Sequence, residues 1–191
     1  MHNPANRYAS TRSEAEDDGW GILEEEPDRI TTSLTVDTSK SVITYNESPD
    51  IPFDRSINPY RGCEHGCIYC YARPSHAWLG LSPGLDFESR LFYKPDAAEL
   101  LRKELASKSY RCAPIALGPN TDSYQPVERR LGITRSIVEI LLETRHPVGL
   151  VTKSALVERD IDLYREMAQQ QLANVMVTVS TLDTALSRKL E

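Results

Sequence analysis

From residue 54 onward, short apolar runs alternate with segments whose apolar residues recur at helical spacing. This rhythm constrains the fold more than any other feature. Extended runs are expected at 55–58, Ile115–Leu117, Val148–Thr152 and 175–179, with a further extended piece at 89–93. Between them, residues 96–105 read as a helix burying Ala97, Leu100, Leu101 and Leu105, capped by Asp96 with Glu99 three residues on. Thr134 is placed to cap a second helix through Ile137, Val138, Ile140 and Leu141. A third is expected around 157–171, with Ile161, Tyr164, Met167 and Ala168 on one side, and a last one begins near Thr184. Parallel strands need a crossover long enough to hold a helix, so this order implies parallel β/α units. Four such units are visible. The expected class is α/β.

The first fifty residues are of another kind. Residues 1–50 hold 11 Asp or Glu against 4 Lys or Arg, whereas residues 51–191 hold 17 acidic and 18 basic residues. Residues 1–29 carry too little apolar surface to offset the entropy of ordering, and read as an acidic arm. Residues 30–45 read as a β-hairpin, with Leu34 and Val36 among threonines, a turn at Asp37 to Lys40, and a return through Val42 to Tyr45. The organisation is therefore 1–50 as arm plus hairpin and 51–191 as the β/α body. The body is close to neutral, without the concentrated basic surface that by itself marks a nucleic-acid binder. No apolar run reaches the roughly 20 residues of a membrane span. The first ten residues lack the basic-then-apolar order of a secretory signal, so the cytoplasm is the expected location and no membrane partner is expected.

Three of the four cysteines fall within eight residues, in Ser56-Ile-Asn-Pro-Tyr-Arg-Gly-Cys63-Glu-His-Gly-Cys67-Ile-Tyr-Cys70-Tyr-Ala-Arg73. A disulfide framework rarely crowds three thiols and leaves an odd partner far away at Cys112, so metal is the better reading. Two sites meet the spacing. Cys63, Cys67 and Cys70 with His65 or His76 have the ligand count of a Cys3His zinc site. The same three thiolates also fit three irons of a cubane iron–sulfur cluster, leaving the fourth iron open. The setting favours the cluster. A structural zinc usually staples a small module that cannot fold alone, and this loop sits in a β/α series with ample core.

At these residues the sequence resembles the radical S-adenosylmethionine (radical SAM) superfamily, whose signature is C-x3-C-x-aromatic-C after the first barrel strand. Tyr69 fills the aromatic slot. The flanking words Asn58-Pro-Tyr-Arg-Gly-Cys63 and Cys70-Tyr-Ala-Arg73 are similar to the branch that includes spore photoproduct lyase. They are closer still to radical SAM proteins labelled as DNA repair photolyases. The resemblance extends from about Val42 to Glu191 and implies part of a (β/α) radical SAM barrel. It implies a [4Fe-4S] cluster on Cys63, Cys67 and Cys70, with S-adenosylmethionine bound at the open iron. It also implies reductive cleavage to a 5′-deoxyadenosyl radical, an electron donor of flavodoxin or ferredoxin type, and lyase chemistry with DNA among the candidate substrates.

Cofactor sites in parallel β/α barrels lie at the carboxyl ends of the strands. The second strand ends in Gly118-Pro-Asn-Thr-Asp122, whose Thr121 and Asp122 are placed to approach the methionine amine, or else to cap a turn. By similarity to the lyase, Lys153 after the third strand would pair with the methionine carboxylate, unless it is merely solvated. Ser180 after the fourth would meet the ribose hydroxyls or begin a loop, and Tyr69 would lie against adenine. One departure matters. Where spore photoproduct lyase has a hydrogen-donating cysteine ahead of its Ser-Asp pair, this chain has Pro119, which argues against thymine-dimer lyase activity of that kind. Radical SAM barrels usually have six or more units, so the sequence reads as the first part of a longer protein, with the substrate-binding half beyond it. The competing reading is a non-catalytic zinc or iron–sulfur module with a structural or sensing role.

Overall fold

Alternation of apolar and polar positions sets the central sheet. In the computed structural model, which describes residues 31–191, Ile115 and Leu117 of one strand and Val148, Leu150 and Thr152 of the next turn inward. In chain order the strands are β1 (Ser33–Val36), β2 (Ile43–Tyr45), β3 (Arg55–Ile57), β4 (Tyr60–Arg61), β5 (Arg90–Tyr93), β6 (Ile115–Leu117), β7 (Val148–Thr152) and β8 (Ala173–Val177). The α-helices are α1 (Leu85–Ser89), α2 (Ala97–Leu105), α3 (Glu128–Leu131), α4 (Ile133–Glu143), α5 (Ile161–Gln169) and α6 (Thr184–Leu190), with 3-10 turns at Arg73–Leu79 and Ala155–Asp160. A five-stranded sheet runs β2-β3-β6-β7-β8, in which β3, β6, β7 and β8 are parallel and β2 is antiparallel to β3. The class is α/β, as the rhythm required, and the four parallel strands fall on the four expected runs. β8 begins two residues before the expected run and ends two before it.

Helices α2, α4 and α5 bury their apolar stripes in one core. Ile57, Leu117 and Leu150 from the sheet meet Leu101, Ile137, Leu141, Tyr164 and Met167 from the helices. Each such side chain contributes about 1.5–3 kcal/mol by leaving water. Among the described residues no helix is long and apolar enough to cross a membrane.

Several local expectations fail, each for a reason outside its own segment. Residues 33–45 form no hairpin. β1 pairs in parallel with β5 in a separate three-stranded sheet, β1-β5-β4, while β2 pairs with β3. The Asp37 carboxylate accepts from Arg61 at 2.7 Å and pairs with the buried Lys94 ammonium at 3.2 Å, drawing β1 toward β4 and β5. Glu104 on α2 accepts from the backbone N–H groups of Val42 and Ile43, at 2.6 and 3.3 Å, which draws β2 the other way. Asp96 makes no side-chain cap on α2. Thr134 does not cap α4 either. The Glu128 carboxylate takes the Thr134 and Arg135 N–H groups, and the Thr134 hydroxyl donates to the Ser123 carbonyl. Ile161 faces solvent. The acidic arm at 1–29 lies outside the described residues.

Gly62 is where the fold passes into the cysteine loop. Its φ is +80°, and an added Cβ would meet the Phe87 carbonyl oxygen at 2.7 Å and Leu91 Cδ2 at 2.6 Å. Left-handed backbone and close approach thus coincide, and only glycine satisfies both. Gly62→Ala is expected to lower the unfolding free energy by about 2–3 kcal/mol. Urea denaturation of the two proteins checks this, and an unchanged midpoint would contradict it.

Candidate functional site

The cysteine loop leaves β4 through Gly62 and is held at each thiol by backbone bonds. Cys63 N–H donates to the Phe87 carbonyl at 2.9 Å, Gly66 N–H to the Cys63 carbonyl at 3.4 Å, and Cys70 N–H to the Cys67 carbonyl at 3.2 Å. The Arg73 guanidinium, its Cζ 5.5 Å from the Phe87 ring centroid, donates to the carbonyls of Gly66 at 2.8 Å, Cys67 at 3.1 Å and Gly84 at 3.0 Å. Cys63 and Cys67 are buried, Cys70 is half-buried, and all are free thiols, as is the exposed Cys112. Burial pushes the Cys63 thiol up to about 12. Any metal taken there must displace its proton.

All three thiols line one cleft of about 390 Å³, together with Tyr69, Tyr71, Thr121, Asp122, Lys153 and the ends of β6 and β7. Seven of the eight predicted site residues are therefore in one wall. The eighth, Ser180, adjoins it through a 2.8 Å hydrogen bond with the Tyr69 hydroxyl. A depression of about 450 Å³ elsewhere, between residues 46–54 and Ala113-Pro114, contains none of them. Among the described residues no three His, Cys, Asp or Glu side chains gather round one point as a single-ion site.

Lys153 faces a carboxylate. Its Nζ lies 2.6 Å from Glu191 Oε1 and 2.6 Å from the Tyr69 hydroxyl, and 4.9 Å from the Tyr69 ring centroid. The Tyr69 and Ser180 hydroxyls also donate to Glu191 Oε1. Partial burial pulls the Lys153 pKa down, but Glu191, Tyr69 and Cys67 more than reverse this, so the ammonium stays charged. Lys153 and the Ser180 and Tyr69 hydroxyls hold the Glu191 carboxyl down to about 2 against the cost of burial. One cation and two hydroxyls thus form a seat for one carboxylate at the rim of the thiol cleft.

Thr121 and Asp122 spend their polar atoms on the protein. The Thr121 hydroxyl donates to the Tyr60 carbonyl at 2.9 Å. Asp122 Oδ1 accepts from the Thr152 hydroxyl at 2.7 Å and Tyr124 N–H at 2.8 Å, and Oδ2 accepts from Lys153 N–H at 3.0 Å. His65 Nε2 stands 3.4 Å from Oδ2, an ion-pair distance rather than a formed hydrogen bond. Asp122 is the clasp that joins the ends of β6 and β7 to the cysteine loop. The sequence offers His65 as a candidate zinc ligand, whereas the structure turns it to Asp122, and it gives no role to Glu191 or to Gln125, which bonds the cysteine loop. Gln125 lies in the Tyr124 to Glu128 run, whose position after β6 was the available signal.

No family model matches the chain, and no solved structure matches it. The chain is similar to uncharacterized proteins of Mycobacterium tuberculosis and Mycobacterium bovis, each 40% identical over 141 residues, covering 74% of this chain and 42% of the relative. It is also similar to an uncharacterized protein of Methanocaldococcus jannaschii, 28% identical over 136 residues, covering 71% of this chain and 48% of the relative. The chain thus spans less than half the length of these relatives.

Burial raises the Asp122 carboxyl, but the His65 pairing and the bonds from Lys153 N–H, Thr152 and Tyr124 N–H more than offset this and hold it below its ordinary 3.8. A depressed folded pKa contributes stability that is present above the unfolded value and lost as pH falls through the folded one. Asp122→Asn replaces an acceptor by a donor facing Lys153 N–H. It is expected to cost about 2 kcal/mol at pH 7 and to flatten the loss of stability below about pH 4. Denaturation measured across pH checks both, and parallel acid limbs for the two proteins would contradict it.

Proposed function

We propose that the chain is the cofactor-binding part of a radical SAM enzyme, with Cys63, Cys67 and Cys70 as ligands of a [4Fe-4S] cluster in a (β/α) barrel. The observation that carries the reading is the pairing of two halves in one cleft. Three thiols line one wall, and a carboxylate seat made by Lys153, Tyr69 and Ser180 stands at the rim. Soft thiolates suit iron–sulfur chemistry, and each would go to a different iron, so they need not converge on one point. A Cys3His zinc site would draw on His65 or His76. His65 is turned to Asp122, and His76 is buried against Phe87 with Nε2 on the Arg90 carbonyl.

When bound, the cluster would supply the electron that cleaves the sulfonium of S-adenosylmethionine to methionine and a 5′-deoxyadenosyl radical. The protein's own contribution is placement. The cysteines give up their protons to bind. Lys153, with the Tyr69 and Ser180 hydroxyls, receives the methionine carboxylate in the place that Glu191 takes. The Tyr69 ring is half-exposed beside this seat, open for adenine to stack. Phe53 and Val151 add apolar surface to the lining of the cleft. The reading implies an electron donor of flavodoxin or ferredoxin type as partner, with damaged DNA as one candidate substrate.

Anaerobic reconstitution with iron and sulfide is expected to load about four irons per chain. With dithionite as reductant and S-adenosylmethionine added, 5′-deoxyadenosine should appear. Cys67→Ala should abolish loading, and Cys112→Ala should leave it intact. Lys153→Ala removes one charge-assisted bond to the carboxylate, worth roughly 1.5–3 kcal/mol, and should weaken S-adenosylmethionine binding by about ten- to hundredfold. A colourless protein that keeps stoichiometric zinc would overturn the cluster. An unchanged affinity in Lys153→Ala would overturn the seat.

A further inference from the structure

We infer that Gln125 is a positioning residue that fixes Cys63 from the loop following β6. The side chain is fully buried, and both ends of its amide are engaged on either side of this one cysteine. Its Nε2 donates to the Gly62 carbonyl at 3.1 Å, and its Oε1 accepts from Glu64 N–H at 3.0 Å. A primary amide offers one donor end and one acceptor end at a fixed separation, so it matches a carbonyl and an N–H two residues apart. Without it the buried Gly62 carbonyl and the partly buried Glu64 N–H would both lose their partner, and a buried polar group left unpaired is costly. On the remote side of the loop, Arg73 performs a comparable service for the carbonyls of Gly66 and Cys67. Cys63 is therefore held before any metal arrives.

This inference rests on the cluster reading, because the position Gln125 fixes matters only if Cys63 is a ligand. A ligand held in place loses less entropy on binding and constrains where its iron sits. Gln125 touches no cofactor atom itself and acts through the Gly62 and Glu64 backbone.

The test uses the metal-free protein and the rate at which iodoacetamide alkylates each thiol, read by mass spectrometry. Cys112, exposed and distant, is the reference within the same molecule. Gln125→Leu should raise the Cys63-to-Cys112 rate ratio by about tenfold, since local opening of the loop no longer breaks two hydrogen bonds. Gln125→Glu keeps the acceptor for Glu64 N–H and loses the donor to Gly62, so it should give a smaller rise, and it decides the matter if Gln125→Leu does not fold. After reconstitution, the electron paramagnetic resonance signal of the reduced Gln125→Glu protein should broaden or shift relative to the unaltered chain. Unchanged alkylation ratios would overturn the inference. So would an equal rise at Cys63, Cys67 and Cys70, which marks general loosening. If the unaltered chain takes up no iron, the cluster reading fails by itself, and the alkylation ratio still decides whether Gln125 holds Cys63.

Discussion

A carboxylate with no access to solvent, Glu128, ties together the parts on which the site depends. It accepts from the Tyr60 hydroxyl and from Arg159 at 2.7 Å, and it closes the first turn of α4 by taking Thr134 N–H at 3.0 Å. Beside it Asp160, equally buried, accepts from Arg159 at 2.7 Å, Arg135 at 3.0 Å and the Tyr124 hydroxyl at 2.9 Å. The two buried carboxylates are met by the guanidinium groups of Arg159 and Arg135, the latter shared with Asp162 and Glu139. The cost of removing these charges from water, several kcal/mol each, is offset only because every partner is present. Burial and the nearby carboxylates keep the Tyr60 and Tyr124 phenols neutral, and therefore donors.

The network matters for function because of where its members lie in the chain. Tyr60 is three residues before Cys63, Tyr124 and Glu128 stand on either side of Gln125, and Arg159 lies in the 3-10 turn Ala155–Asp160 that begins just after Lys153. A single buried cluster thus fixes the origin of the cysteine loop, the loop after β6 and the loop after β7 relative to one another. Asp122 repeats the theme nearer the surface, joining Lys153 N–H, Thr152 and Tyr124 N–H. The buried scaffold does not consume the three thiols, nor Tyr69, Lys153 and Ser180, whose polar atoms are turned to one another and to Glu191 at the cleft.

What the sequence disclosed divides along the same line. The four parallel strands and the buried face of α4 were legible because apolar periodicity is local and the core simply obeys it. The cysteines and Lys153 were legible because strand-end position brings them together whatever the details between. The expected hairpin at 30–45 was misleading, since the partners of β1 and β2 are chosen by Lys94, Arg61 and Glu104, which are distant in sequence. Thr134 has the right chemistry for a cap, yet Glu128 displaced it from that role through a turn no local pattern announces. Thr121 and Asp122 were rightly placed at the cleft but have their polar atoms committed to backbone and neighbours. The seat that Glu191 fills could not be foreseen, because it joins three loops by side chains alone.

The central claim is that three cysteines hold a cluster with one iron left for S-adenosylmethionine. Mössbauer spectroscopy of protein loaded with the Mössbauer isotope of iron tests it most directly. The account predicts four irons with similar parameters in the oxidised cluster, and a distinct signal from one of them once S-adenosylmethionine is added. A spectrum that does not respond to S-adenosylmethionine, or one showing a single tetrathiolate iron, would contradict it.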